Sequence, residues 1–498
     1  MIEFGSGDGS FTLEDYAGFA DLANAVRELR AEASLLVHQL AGRTLWMVNS
    51  TAQGGGVAEM LPKMIALLEE LGLPTRWAVI GSDRSEFFAF TKRVHNLIHG
   101  QGDGEIGSAE RQVYEAVNLE NAAELKSHLK PDDLVVIHDP QPCAMAGILK
   151  RELPGLRTVW RCHIGLDERL PATRTVWRFL RPYADVYDQV VFSAPQYIPG
   201  YLVDRSTIIH PALDPQSHKN RQLSTHKLVG VLANSGLHNN GEPVLSPPFA
   251  RKARRLQPGG GFRIASELGE IGLLHRPIVT QISRWDRLKG FAPLLHGFVQ
   301  LKRGLDDPKR RLFPRHVRRI EIVRLVLAGP DPDFVKDDPE GQEVLDELCD
   351  AFQQLPADLQ QDVALLTLPM DSRKENALMA NALQRCSSLI VQNSLREGFG
   401  LTATEGMWKR IPVVGTHACG LRQQIRDGID GLLVQDPEDA DEIASVLDVL
   451  LDDAPRRDLI ARTAQRRVHE EFLIFTQLRL WLRVLADCAA APARTVDS

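Results

Sequence analysis

The chain is predicted to fold as two doubly wound α/β domains, each a parallel sheet covered by helices on both faces. Three observations predict this. The length of 498 residues exceeds what a single hydrophobic core organises. Short, continuous runs of Val, Ile and Leu recur, each followed by an amphipathic segment, and this alternation builds parallel strands buried on both sides. The runs also form two separate series, with a stretch rich in turn formers between them.

The first series comprises Leu45–Asn49, Trp77–Ile80, Leu134–His138, Thr158–Arg161, Gln189–Ser193 and Thr207–His210. The second comprises Pro277–Ser283, Ile322–Ala328, Val363–Leu368, Ser388–Gln392, Pro412–Gly415 and Gly431–Val434. Between them lie LHNNGEPVLSPP and LQPGGGF, poor in periodic apolar residues. The expected organisation is therefore an N-terminal domain over 1–213, a linker with an irregular insertion over 214–276, and a second domain over 277–455. A helical segment over 456–498 is expected to pack back on the first domain. Doubly wound sheets bind ligands beyond the carboxyl ends of their strands, so a cleft between the two domains is the expected site.

Composition excludes several classes. The net charge of −7 argues against a dedicated nucleic-acid binder. Six scattered cysteines without C-x-x-C spacing support neither a zinc site nor a disulfide framework. The N-terminal MIEFGSGDGSFTLEDY lacks the basic patch and apolar run of a signal peptide, and no stretch has the apolar length of a membrane span. A cytoplasmic enzyme is expected.

The strongest local signal is Ser394 to Val434, SLREGFGLTATEGMWKRIPVVGTHACGLRQQIRDGIDGLLV. Glu397 follows a strand, Gly398-Phe399-Gly400 permits close backbone approach, and a helix opens near Leu401 and carries Glu405. Such a helix start offers N–H groups to an anion, and each carboxylate can accept hydrogen bonds from vicinal hydroxyls. Thr402 and Glu405 also fit a T-x-x-E capping box, which would leave Glu405 only a structural task. A second piece, Ser283-Arg284-Trp285-Asp286-Arg287-Leu288-Lys289-Gly290, places two cations, Arg284 and Lys289, where a phosphate could meet them. The third is Asn49 to Glu59, where Gly54-Gly55-Gly56 opens a helix without the G-x-G-x-x-G spacing of a dinucleotide fingerprint.

These motifs resemble the donor site of retaining GT-B glycosyltransferases, a fold of two facing Rossmann-like domains. Further segments narrow the resemblance: GSDRSEFFAFTKRVHNLIHG (81–100), VIHDPQP (136–142), WRCHI (160–164), HPALDP (210–215), DDPEG (337–341) and NALQR (381–385). Together they are similar to glycosyltransferring trehalose synthases and the related retaining trehalose phosphorylases. The resemblance implies transfer of glucose from a nucleoside-diphosphate glucose to glucose, with retention and without metal or cofactor. A retaining phosphorylase using glucose 1-phosphate is the alternative, and a non-catalytic sugar or nucleotide sensor a third reading. It implies catalytic roles for Glu397, Arg284, Lys289 and His163. Donor contacts would come from Glu405, on the ribose diol, from Gly398, Phe399, Gly400 and Leu401, and from Gly55 and Gly56. His138, Asp139, Lys92 and Asn96 are candidates on the acceptor side. A solvated helix face explains Lys92 equally, and backbone partners at strand ends would explain His138 and His163. The partners implied are a sugar nucleotide and a small sugar, and the resemblance extends to a homodimeric assembly.

The chain also departs from the relatives. HIGLDER places Gly165 where they carry an acid, Asn393 stands near a position where they have a lysine or similar residue, and the insertion across roughly 216–276 and the basic run KRRLFPRHVRR (309–319) look unlike the compact relatives. The run reads as a solvated edge, with anion or partner binding as the other reading. Asp331-Pro332-Asp333 reads as a turn rather than a metal-binding D-x-D.

Overall fold

The computed structural model describes residues 2–52, 55–239, 248–304, 314–332, 339–492 and 494. The chain divides into two compact units, Met1–Ala212 with Ile474–Ser498, and Leu213–Leu473.

The sheet of the first unit contains β1 (Glu3–Gly5), β2 (Leu45–Asn49), β3 (Thr75–Val79), β4 (Leu134–His138), β5 (Arg157–Cys162), β6 (Gln189–Phe192) and β7 (Ser206–Ile208). Their order is β1-β3-β2-β4-β5-β6-β7. All neighbours are parallel except β1, which pairs antiparallel with β3. Every residue of β2 and β4 is buried, as the continuous apolar runs require. From β2 the chain moves outward to β3, then returns to place β4 on the other side of β2. The strand order therefore reverses between β2 and β4, where ligands of such sheets bind.

The second sheet contains β8 (Arg254–Leu256), β9 (Phe262–Ile264), β10 (Ile278–Ile282), β11 (Arg324–Pro330), β12 (Val363–Leu368), β13 (Leu389–Val391), β14 (Val413–Thr416) and β15 (Leu432–Val434). Their order is β15-β14-β13-β10-β11-β12-β8-β9, with the reversal between β10 and β13. Alternate strand residues serve two cores. Val279, Leu325, Leu327, Val363 and Leu365 meet the helices Phe291–Arg303, Pro339–Gln353 and Ala440–Asp452 on one face. Ile278, Val326, Ala328, Ala364 and Leu366 meet the helices Thr225–Asn234 and Arg373–Arg385 on the other. Neither face could be left to water.

The segment expected as a linker, 214–276, is thus part of the second unit. Its helix Thr225–Asn234 covers a sheet face, and β8 and β9 extend the sheet as an antiparallel hairpin against β12. Turn formers such as Gly260 and Gly261, both at positive φ, mask these short elements in the sequence. The tail also divides differently from the expected 456 boundary. The helix Ala454–Arg467 packs on the helix Leu401–Trp408 of the second unit, whereas the helix Ile474–Ala490 lies on the helix Ala23–Gln39 of the first. There Arg479 and Arg483 both pair with Glu32.

Candidate active site

In the first unit, three neighbouring strand ends gather a histidine pair. His138 closes β4 and is buried, and its Nδ1 lies 3.0 Å from Nε2 of His163, just after β5. The two rings stack at 5.3 Å with 13° between their planes. Nε2 of His138 faces the Met47 thioether at 3.5 Å. Sulfur accepts but cannot donate, so this nitrogen carries the proton and Nδ1 of His138 accepts from His163. Nδ1 of His163 is then left as an acceptor. Burial, reinforced by the Arg161 guanidinium, pushes His138 down to about 3 and His163 well below the ordinary range. Both rings are therefore neutral at pH 7.

Asp139 adopts φ 63°, a left-handed conformation in which its amide donates to the Arg161 carbonyl at 2.7 Å. Its carboxylate accepts from the His163 amide at 2.8 Å. Burial raises it to about 6, against the pull of the His163 amide and Arg161. Arg161, absent from the candidates read in the sequence, is buried and donates through Nη2 to Ser193 Oγ and the Ile209 carbonyl. Its Nη1 is buried without a partner among the described residues. An arginine inside a strand gives no signal that it charges a site. Gly165 also finds its reason here: a Cβ would stand 2.2 Å from Cγ of Tyr197, so that ring fills the space a side chain would need. Lys92 is exposed and Asn96 half-buried on the helix Ser85–Ile98, and neither is hydrogen-bonded to the histidine pair. Gly55 and Gly56 start the helix Gly55–Glu70 after β2, so they are part of its first turn rather than a loop before it. Gly54 lies outside the described residues.

In the second unit, the loops after β10 and β13 interlock at the strand-order reversal. Gly290, at φ 62°, and Gly400, at φ 87°, take left-handed conformations that a Cβ would strain. At Gly290 a Cβ would stand 2.0 Å from the Asn393 carbonyl oxygen, so only glycine lets the two loops close. Asn393 in turn donates to the carbonyls of Gly290 and Pro437, which makes it a structural brace. Across this junction Lys289 Nζ donates to Glu397 Oε2 at 2.8 Å, with both side chains largely covered. The same oxygen accepts from Ser394 Oγ at 2.9 Å and from Gln392 Nε2 at 3.3 Å. Three donors on one oxygen fix the carboxylate in place. A Cβ at Gly398 would meet nothing within 4 Å, while the Phe399 ring packs on Phe472 and its carbonyl accepts from Gln424 Nε2. Leu401 is half-buried at the start of its helix.

The capping box does not form. Gly400 is the N-cap, and the Thr402 hydroxyl donates to the Ile282 carbonyl instead. Glu405 is nearly fully buried, with Oε1 2.8 Å from Lys219 Nζ and Oε2 accepting from Gln384 Nε2 at 2.9 Å. Lys219 comes from the segment expected to be linker. Asn381 and Arg385 hold that segment by donating to the carbonyls of His218, Asn220 and Arg221. Lys409, one turn after Glu405, is buried, and burial depresses it to about 7 despite the carboxylate beside it. Spacing in the sequence does not find Lys219 or Gln384, whose relation to Glu405 is purely tertiary, whereas Lys409 stands four residues on, at the C-cap of the same helix. Arg284 is exposed and lies 3.6 Å from Asp286. The structure thus joins Lys289 to Glu397, sets Glu405 in a separate network, and leaves Arg284 at the surface. Asp331 pairs with Arg254 at 2.6 Å, and Asp333 lies outside the described residues.

Residues 47–199 match the family model "Trehalose synthase, N-terminal domain", and residues 273–467 match "Glycosyl transferases group 1". A trehalose synthase of Pyrococcus horikoshii is 31% identical over 484 residues, 97% of each chain. A trehalose phosphorylase of Grifola frondosa is 24% identical over 447 residues, which are 87% of this chain but 56% of that protein. The UDP-forming α,α-trehalose-phosphate synthase of Burkholderia xenovorans, solved with glucose-6-phosphate, superposes with a TM-score of 0.62 at 16% identity, covering 89% of this chain and all of that one (100%). The two Rossmann-like domains, the motif-bearing loops and the near full-length relatives lead to one conclusion: the chain belongs to the trehalose synthase family of glycosyltransferases and is a trehalose-related glucosyltransferase.

Proposed function

We propose that the protein transfers glucose from a nucleoside-diphosphate glucose to free glucose, forming α,α-trehalose with retention and without a required metal. The Lys289–Glu397 contact at the strand-order reversal carries this reading. The Glu397 carboxylate, held by three donors, accepts from hydroxyls of the transferred sugar. Lys289, with Arg284 at the surface beside it in the chain, supplies positive charge to the departing diphosphate, which a divalent ion supplies in other transferases. Glu405 with Gln384 addresses the ribose diol. The neutral His163, with an acceptor nitrogen, and Asp139 take the acceptor sugar's hydroxyls. Positioning and charge stabilisation then account for the protein's contribution, and the leaving phosphate oxygen takes the proton of the incoming hydroxyl.

Coverage supports the synthase over the phosphorylase, since the chain spans 97% of the synthase but only 56% of the phosphorylase. The test supplies purified protein with several nucleoside-diphosphate glucoses or glucose 1-phosphate, each with glucose, in the presence of a chelator, and identifies products by NMR. Trehalose formed only from the nucleotide donors is the expected result. Turnover of glucose 1-phosphate with phosphate release, or loss of all activity in chelator, would refute the proposal.

A further inference from the structure

At the opposite end of the second sheet from Lys289 and Glu397 lies a pocket of about 720 Å³. Pro277, Ile322 and Ser388 in its wall sit just before the starts of β10, β11 and β13, whereas the candidate active site follows the strands' carboxyl ends. Six arginines line it: Arg276, Arg315, Arg318, Arg319, Arg385 and Arg457. No Asp or Glu is among the described lining residues. Arg318 alone of the six makes an ion pair among the described residues, at 3.0 Å with Glu321. Backbone carbonyls hold four others: Ile322 for Arg276, Leu451 for Arg319 and Arg457, and Asn220 with Arg221 for Arg385. A carbonyl orients a guanidinium without neutralising it, so the pocket concentrates positive charge that Glu321 at Arg318 and Asp453 and Asp452 near Arg457 offset only in part, in a chain of net charge −7. Burial and the neighbouring Arg319 depress Arg457, against the upward pull of Asp453 and Asp452.

We propose that this pocket is a second, non-catalytic site for a small molecule bearing two or more phosphoryl groups. Several forked donors converging on a concavity match clustered phosphate oxygens better than a single carboxylate. A pocket of this size suits a small molecule rather than a nucleic-acid track. Leu228 and Leu273 supply an apolar wall against which the carbon skeleton of a phosphate ester can lie. The inference does not depend on the donor or acceptor assigned above.

The test is calorimetric titration of the full chain, at constant ionic strength, with inorganic pyrophosphate and, separately, with a hexose bisphosphate. A Lys289→Gln variant excludes binding at the candidate active site. Arg315→Gln is the first pocket variant, because Arg315 makes no hydrogen bond or ion pair among the described residues, and Arg315→Gln/Arg319→Gln is the second. Binding of either probe that persists in Lys289→Gln and weakens at least threefold in Arg315→Gln and tenfold in the double variant supports the site. Stronger binding of the ester than of pyrophosphate assigns it to organic phosphates, and the reverse to the inorganic ion. Absence of binding by both probes, or smaller losses in the pocket variants, overturns the proposal.

Discussion

Lys409 offers a quantitative test of the electrostatics around Glu405. Its side chain belongs to a residue only 8% exposed, and burial lowers it to about 7 from an ordinary 10.5. Glu405 pulls upward, while Arg385 and Lys219 push the same way as burial. Between pH 7 and 10.5 the unfolded chain holds a proton that the folded chain has released, so stability rises with pH across this window and is flat below it. At about 1.4 kcal/mol per unit, the cost of this lysine is about 4 kcal/mol at pH 7 and about 2 kcal/mol at pH 9. Lys409→Met keeps the stem and removes the titration. The variant should be more stable than the parent at pH 7, and its advantage should shrink by about 2 kcal/mol by pH 9. For a unit of this size that is a change of about 5 °C in the difference between unfolding midpoints. Scanning fluorimetry on both proteins at the two pH values measures it. An advantage identical at pH 7 and pH 9 would refute the argument, because it would mean that Lys409 stays protonated in the folded state throughout.

Other outcomes follow from the same geometry. Lys289→Ala should lower kcat/KM for transfer by about a hundredfold or more, the scale of losing one charge-stabilising donor, with Arg284→Ala costing less because Arg284 is exposed; steady-state kinetics on both variants ranks them. Gly165→Ala drives a methyl into the Tyr197 ring and should destabilise by about 1–3 kcal/mol, with Tyr197→Ala restoring the added loss in the double variant. The acid limb of stability should respond to Asp139→Asn, which keeps an acceptor and tolerates the φ of 63°. His138, depressed to about 3, loses stability as pH falls below 6.5, whereas Asp139, raised to about 6, gains it between about 6 and 4. Without that offset the variant should lose about 1 kcal/mol more than the parent between pH 7 and 5, measured by denaturant midpoints.

Residue order was enough to reveal the two sheets and the loops that carry chemistry. Parallel strands buried on both faces must be continuously apolar, so β2, β4, β10, β11 and β12 were legible as runs, and Glu397, Lys289, His138 and His163 were legible because they stand at or just beyond the ends of such runs. The role of 214–276 was not legible. Its helix and hairpin are short and broken by glycines, and they become ordered elements only by completing a sheet and covering a face formed by residues a hundred positions away. Packing settled which partner each charged group finds. It placed Lys219 on Glu405, Tyr197 against Gly165, Arg161 beside the histidines, and six arginines around one pocket. Periodicity records which way a side chain faces relative to its own backbone. The distance between charges on separate elements depends on how those elements pack, and that distance sets the chemistry.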